Sequence, residues 1–283
     1  MRGVLKGMVL RLLTMSLRAS NLERGEGELR KSLMRIVPDL SAQYTNHKME
    51  TPYEIENLRC VHAFQMGLVF KAIALLDNKR DRDVFTIVDI GDSSGTHLKY
   101  LKEMEESKGG STRYRLLSVN LDPVAVQKIK GKGIEAVLCR AEQLVERGIH
   151  AQIFLSFAML EHLFDPINFL HDMASKTNCD YFVITVPYVR RSRLGLQYVR
   201  HSNEGEAYAE STHIFELSVE DWNLVFSFSG WEVVVADIYK QYPKYGLLRI
   251  TQPIWSRFDF EGFYGVILRR NLEVSKRYRN WPE

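Results

Sequence analysis

Residues Val84 to Met104, VFTIVDIGDSSGTHLKYLKEM, divide into three parts of different chemistry. Val84-Phe85-Thr86-Ile87-Val88-Asp89-Ile90 is apolar and β-branched, the composition of a strand buried on both faces. Gly91-Asp92-Ser93-Ser94-Gly95 breaks that run, and His97, Leu98, Tyr100, Leu101 and Met104 then recur at helical spacing. Strand, small-residue turn and helix make the first βα unit of a nucleotide-binding α/β sheet. Small residues let a ligand approach the backbone, and the unpaired N–H groups that open the helix favour negative charge. A dinucleotide fingerprint needs Gly-x-Gly-x-x-Gly and a P-loop needs Lys after its last Gly; Gly91 and Gly95, followed by Thr96 and His97, satisfy neither.

The rest of the chain is long enough, at 283 residues and 45% hydrophobic, for one substantial core. The natural division is an N-terminal helical extension, 1–50, followed by a single domain, 51–283. A net charge of +3 is too small to mark a nucleic-acid binder. Cys60, Cys139 and Cys179 are odd in number and widely spaced, which argues against disulfides or a zinc cluster and fits a reducing cytoplasm. No set of His, Asp and Glu has ligand spacing along the chain, so no metal is expected. Charges interrupt every apolar run before Ser20, which excludes a transmembrane helix there. Two readings remain for that segment: a helix packed on the domain or a partner subunit, or a basic amphipathic helix touching a membrane surface. From Asn21 to Lys48 charged residues dominate, broken at Val37-Pro38-Asp39 and Tyr44-Thr45-Asn46-His47. Thr51-Pro52-Tyr53-Glu54 reads as a capped helix start. Leu58, Val61, Phe64, Gln65, Leu68, Val69, Ala72, Ile73 and Leu76 then line one face.

Further buried strands follow at Tyr114–Asn120, Ile134–Cys139, Ala151–Phe157 and Tyr181–Pro187, with helices from Val124 and after Pro166. His213-Ile214-Phe215-Glu216-Leu217-Ser218, Gly230-Trp231-Glu232-Val233-Val234 and Phe263–Arg270 supply a closing helix and strands. Taken together these segments resemble class I S-adenosylmethionine (SAM) dependent methyltransferases. Asp89-Ile90-Gly91-Asp92-Ser93-Ser94-Gly95 is similar to their Asp-x-Gly-x-Gly-x-Gly turn, with Ser93 at the middle glycine. Leu160-Glu161-His162-Leu163-Phe164-Asp165-Pro166 resembles the signature after strand four in the type-11-like, small-molecule members. The resemblance runs from about Val84 to Arg270. It implies a Rossmann-like, doubly wound seven-stranded sheet, mostly parallel with an antiparallel last strand, preceded by the N-terminal helical extension.

The resemblance also implies roles. Asp89, Gly91, Asp92, Ser93 and Gly95 would lie against SAM, and His97 would either contact it or pack beneath it. Asn120, Leu121 and Asp122 stand where an acidic residue usually binds the ribose hydroxyls; Asn accepts through one oxygen only, so Asp122 is a helper or simply a helix cap. Arg140 replaces the acid that meets the adenine amino group, leaving backbone contacts at Arg140 and Ala141. Ser156 ends strand four beside the cofactor. N-terminal helices often cover the pocket in the family, which turns attention to Tyr44, His47 and Tyr53. Nucleic-acid adenine methyltransferases carry Asn/Asp-Pro-Pro-Tyr after strand four, whereas Pro187-Tyr188 follows strand five here, so a nucleic-acid substrate is disfavoured.

Between Tyr188 and His213 lies an insertion (188–213) with Tyr188, Arg190, Arg191, Arg193, Arg200 and His201. It emerges at the carboxyl ends of the strands, either as a guanidinium clamp on an anionic or sugar-linked acceptor or as a solvated lid. A hydroxyl acceptor benefits from a base near neutral pH, and His162 and His213 are the candidates. Trp255, Phe258, Phe260 and Tyr264 read as core or homodimer surface. The leading expectation is a cytoplasmic O-methyltransferase whose acceptor is a sugar, glycan intermediate or nucleotide-linked sugar, as in polysaccharide biosynthesis. The alternatives are a SAM- or partner-binding protein that has lost catalysis, on the departures at Ser93, Asn120, Arg140 and Gln152, and a lipid or quinone methyltransferase.

Overall fold

The computed structural model describes residues 2–45, 47–78, 84–107, 109, 113–195, 213–257 and 261–277. Its centre is a seven-stranded sheet in the order β3-β2-β1-β4-β5-β9-β8. The strands are β1 (Phe85–Ile90), β2 (Tyr114–Asn120), β3 (Glu135–Leu138), β4 (Ile153–Phe157), β5 (Tyr181–Pro187), β8 (Trp231–Lys240) and β9 (Gly262–Arg270). β1 to β5 pair in parallel, and β9 runs antiparallel between β5 and β8. A small ribbon, β6 (Arg193–Leu194) with β7 (Phe215–Glu216), lies apart from it. The order reverses between β1 and β4, which is the switch point where ligands of open α/β sheets bind.

Three helices packed on the sheet start on the same device, a polar cap followed by Pro at the first helical position, where its missing N–H is no loss. Thr51 and Glu54 form a reciprocal capping box at the head of α3 (Pro52–Asp77). Asp122 caps α5 (Pro123–Gly131) through the Val124 N–H, and Asp165 caps α6 (Pro166–Lys176) through the Asn168 N–H. α4 (Thr96–Glu106) instead follows Gly95, whose φ of 71° is left-handed. One apolar layer joins α3 (Phe64, Val69), α4 (Leu98, Leu101) and α5 (Val126, Ile129) to Ile87, Leu155 and Val183 of the sheet. The other packs α6 (Phe169, Met173) and α7 (Val219–Phe228; Trp222, Phe226) on Val88, Phe154 and Phe182. The three cysteines are unpaired and buried.

The extension shares the first of these cores. α1 (Arg2–Glu23) buries Leu13 and Leu17 against it, and α2 (Gly27–Ile36) buries Leu33. Ser16 Oγ donates to the Gln241 carbonyl at 3.0 Å, and Arg24 grips both oxygens of Asp237 at 3.2 and 2.6 Å. The packed reading of the first segment therefore holds from Leu13 onward, while Leu5, Met8 and Met15 are exposed. α3 is long and apolar enough to span a membrane, yet it is the central core helix, covered on one side by the sheet and on the other by α1 and α2.

Two elements differ from the reading of the sequence. α2 lies in the charge-dominated stretch of the extension, where no separate helix is assigned; it has no side-chain cap and a single buried residue. β8 runs to Lys240 rather than Val234, because a bulge between Val233 and Val235 breaks the alternation that marks a strand.

Candidate active site at the carboxyl ends of the strands

The turn after β1 is built for close approach. Gly91 is exposed with φ 86°, and a Cβ there would lie 2.9 Å from Met159 Cγ. Beneath it Asp89, Asp92 and His97 are all buried. Asp89 Oδ2 lies 3.3 Å from His97 Nδ1, but the two are not aligned for a hydrogen bond. Asp92 Oδ1 accepts the Ser94 N–H at 3.2 Å, and its Oδ2 has no partner among the described residues. Burial and the neighbouring Asp92 push the Asp89 carboxyl up to about 7. Burial works against charge on His97, and the Asp89 carboxylate outweighs it, so the net direction is upward. His97 Nε2 pairs with Gln65 Oε1 at 3.0 Å, and Gln65 in turn donates to Thr185 on β5 at 3.1 Å. His97 thus braces the turn from below rather than lining it. Gln65 was the one polar residue on the predicted apolar face of α3, a legible sign of such a role.

The extension reaches this turn through Gln43. Its Oε1 accepts from Ser94 (2.8 Å) and Thr96 (2.6 Å), and its carbonyl accepts from Ser93 (3.1 Å). Tyr44 and His47 lie with ring centroids 6.4 Å apart, and Tyr53 stacks on Trp255 at 6.3 Å. Trp255 and Tyr264 are core; Phe258 and Phe260 lie outside the described residues.

At the end of β2 the Asn120 amide is committed. Its Nδ2 donates to the Asp92 carbonyl at 3.0 Å and its Oδ1 accepts the Asp122 N–H at 2.8 Å. Asp122 Oδ1 is the α5 cap at 2.8 Å, and Leu121 is exposed. Arg140 is exposed beside Glu142 at 3.4 Å, at the head of a 3-10 turn that begins with Ala141. Ser156 is fully buried with its hydroxyl unpartnered among the described residues, in register with Ile90 and so on the sheet face opposite Asp89.

The turn after β4 carries the second cluster. Ala158 adopts φ 50°, a left-handed conformation that costs a non-glycine residue about 1–2 kcal/mol. The 3-10 turn Leu160–His162 follows. Glu161 is 0% exposed, and neither of its carboxylate oxygens meets a partner from another residue among those described. The Ile214 N–H donates to the Glu161 carbonyl at 2.7 Å and brings His213 alongside. The His162 and His213 rings meet edge to face at 4.8 Å, and His213 Nδ1 bonds Glu216 Oε1 at 2.9 Å. Burial raises Glu161 to about 7 even though His213 opposes it. Burial lowers His213, but Glu216 and Glu161 reverse the sign and leave it raised. Glu161 and Glu216 are the residues that spacing along the chain did not single out: His213 lies 52 residues beyond Glu161, and Glu216 joins the cluster through His213 and Arg193.

The arginines of the insertion divide. Arg190 pairs with Glu261 and Arg193 with Glu216, both buried carboxylates. Arg191 is exposed, and Tyr188 lies under Lys240 Nζ at 5.3 Å. Arg200 and His201 lie outside the described residues. A cavity of about 880 Å³ opens beyond β8, lined by Arg24, Asp237, Lys240 and Tyr242; no residue of either cluster lines it.

The turn after β1 fits the amino-acid end of SAM: two buried carboxylate oxygens, Asp89 Oδ2 beside His97 and Asp92 Oδ2, have no aligned hydrogen bond among the described residues and lie next to an exposed glycine. The ribose end is less well provided, since the Asn120 amide is already tied at both ends. The strand order, the internal antiparallel strand and this turn define the class I SAM-dependent methyltransferase fold. No protein-family model and no curated protein sequence matches the chain. Solved structures do. The [4+2]-cyclase SpnF aligns at TM-score 0.51 and 9% identity over 90% of this chain and 98% of its own. A candidate sarcosine dimethylglycine methyltransferase from Galdieria sulphuraria aligns at 0.50 and 11% over 77% and 87%. At such identities the likeness establishes the fold.

Proposed function

We propose that the chain is a SAM-dependent methyltransferase that modifies a hydroxyl on a small molecule. The observation that carries this is the pair of buried oxygens, Asp89 Oδ2 and Asp92 Oδ2, without an aligned hydrogen bond among the described residues, at the switch point of the sheet. When bound, SAM supplies a methyl group activated by its sulfonium. Asp89 and Asp92 would hold the ammonium, and Gly91 would admit the carboxylate against backbone N–H groups. Asn120, with Asp122, would meet the ribose. Across β1 and β4, Glu161, His162 and His213 are the groups that handle the acceptor hydroxyl and its proton, and alignment of donor and acceptor supplies much of the acceleration. The leading acceptor is a sugar or a sugar-linked intermediate in a cytoplasmic biosynthetic route. Of the described arginines of the insertion, Arg191 is the one not paired with a buried carboxylate.

Calorimetry with SAM and its demethylated product, S-adenosylhomocysteine (SAH), tests the reading. Micromolar binding of both, together with methyl transfer to sugar-linked acceptors in an extract, supports it; absence of binding overturns it.

A second reading, a catalytically silent binding protein or an enzyme of other chemistry on this fold, is favoured by one observation. Met159 packs against Gly91 while Asn120 and Gln43 occupy polar groups of the turn. The neighbour described as a cyclase is consistent with it. Binding without transfer to any acceptor selects this reading.

A further inference from the structure

Beyond the cofactor turn, the described residues contain a second group of ligand-type side chains at the carboxyl edge of the sheet. One donor atom each from Glu161, His162 and His213 lies within 4.8 Å of the other two. We propose that these three side chains bind one divalent transition-metal ion, with open positions that receive oxygen atoms of the acceptor.

Three observations converge. The first is the orphaned carboxylate: Glu161 is 0% exposed and both of its oxygens lack a partner from any other described residue. An ionised carboxylate left so is costly unless a cation completes it. The second is the tautomer of His213. Its Nδ1 is held by Glu216 at 2.9 Å, so the lone pair sits on Nε2; a carboxylate behind an imidazole is the usual support of a metal-binding histidine. Arg193 fixes Glu216 from its other oxygen, which completes the outer layer. The third is exposure. His162 and His213 are half-buried, so an ion can enter and a ligand can reach it. Bonds of about 2.1 Å set neighbouring ligand atoms roughly 3–3.5 Å apart, and rotation of three side chains closes the remaining gap. Two imidazoles and one carboxylate select zinc, manganese, cobalt or iron(II) over magnesium, which prefers oxygen alone.

The Asp89, Asp92 and His97 group also comes within 4.8 Å, but it is buried throughout and His97 is committed to Gln65. It is also the group to which the proposed function assigns the SAM ammonium, so it is not taken as a second metal site.

The purpose of the ion rests on the methyl-transfer reading: a Lewis acid at the acceptor oxygen lowers the hydroxyl's pKa where transfer must occur. The binding itself does not rest on it. The experiment is titration of chelator-stripped protein with manganese and zinc salts by calorimetry, alongside cobalt(II) followed by its visible absorption. One equivalent should bind, with dissociation constants in the micromolar range or below. Glu161→Gln and His213→Ala should each weaken binding at least 100-fold, and Glu216→Gln about 10-fold. If Glu161→Gln gives no cooperative melt, His162→Gln at its half-buried position carries the same comparison.

No saturable binding at 1 mM, or equal binding by wild type and variants, overturns the proposal. So does loss of binding in Asp89→Asn with retention in Glu161→Gln. SAH binding measured in chelator separates the two readings: SAH without metal leaves the methyltransferase and removes this site, and metal without SAH does the reverse.

Discussion

The turn after β1 and the turn after β4 both gather carboxylates and imidazole at neighbouring strand ends, but at different depths. Asp89, Asp92 and His97 fall within nine residues, are closed in by α3 and are braced by Gln65 and Gln43. Glu161, His162, His213 and Glu216 come from two distant segments, and only the carboxylates are fully enclosed. In the proposed reading the first cluster is the cradle for the cofactor's fixed charge. The other is half open at His162 and His213, which suits the exchangeable acceptor that the same reading places there. Enclosure strengthens electrostatics, and access permits turnover; the two turns divide those demands between them.

The largest expected effect separates the clusters by function. His213→Ala should lower the methyl-transfer turnover about 10²- to 10⁴-fold, with SAH affinity changed less than threefold in calorimetry. A matching loss of SAH affinity would merge the two turns into one site.

Asp89→Asn probes the cradle. SAH binding should weaken about 10- to 100-fold as a charge-assisted hydrogen bond is lost. The native Asp89 carboxyl titrates near 7 against an ordinary 3.8, so the folded protein keeps a proton that the unfolded chain releases. Wild-type stability from this group therefore falls as pH rises from about 4 to about 7. The variant escapes that fall, and its advantage should grow to the order of 2–4 kcal/mol by pH 8. Melts at pH 5 and pH 8 measure it; an advantage that shrinks with pH contradicts the assignment.

Gly91→Ala should cost about 1–2 kcal/mol, because the left-handed backbone and Met159 both resist a Cβ. In thermal melts that is a drop of roughly 2–6 °C, partly recovered in a Met159→Ala background. Recovery to wild type would show that the backbone carries no strain.

Gln43→Ala gives the smallest change, about 1 kcal/mol, since Ser94 and Thr96 still bond each other at 2.6 Å. A larger loss would make the extension part of the cradle rather than its outer brace.

Legibility followed the same division. The β1 turn could be read because a buried strand, a glycine break and a helix lie in one continuous stretch. The caps at Thr51, Asp122 and Asp165 were readable for the same reason, as was the apolar face of α3. His97 was placed at the cofactor, but its ring is turned under the turn by a partner on α3. Arg190 and Arg193 looked free to clamp an acceptor until the fold set Glu261 and Glu216 beside them.

The sequence alone therefore determined the parallel α/β sheet, its first turn and the helices that cover it, since period and capping are properties of neighbouring residues. Tertiary structure alone decided which polar groups remain unsatisfied. Among the described residues the Glu161 carboxylate lacks a partner, Asn120 is bonded to Asp92 and Asp122, and the Ile214 N–H to Glu161 carbonyl bond brings His213, with its Nδ1 on Glu216, beside Glu161 from some fifty residues away. Whether a side chain is available for chemistry depends on what surrounds it in space, and a linear pattern does not encode that neighbourhood.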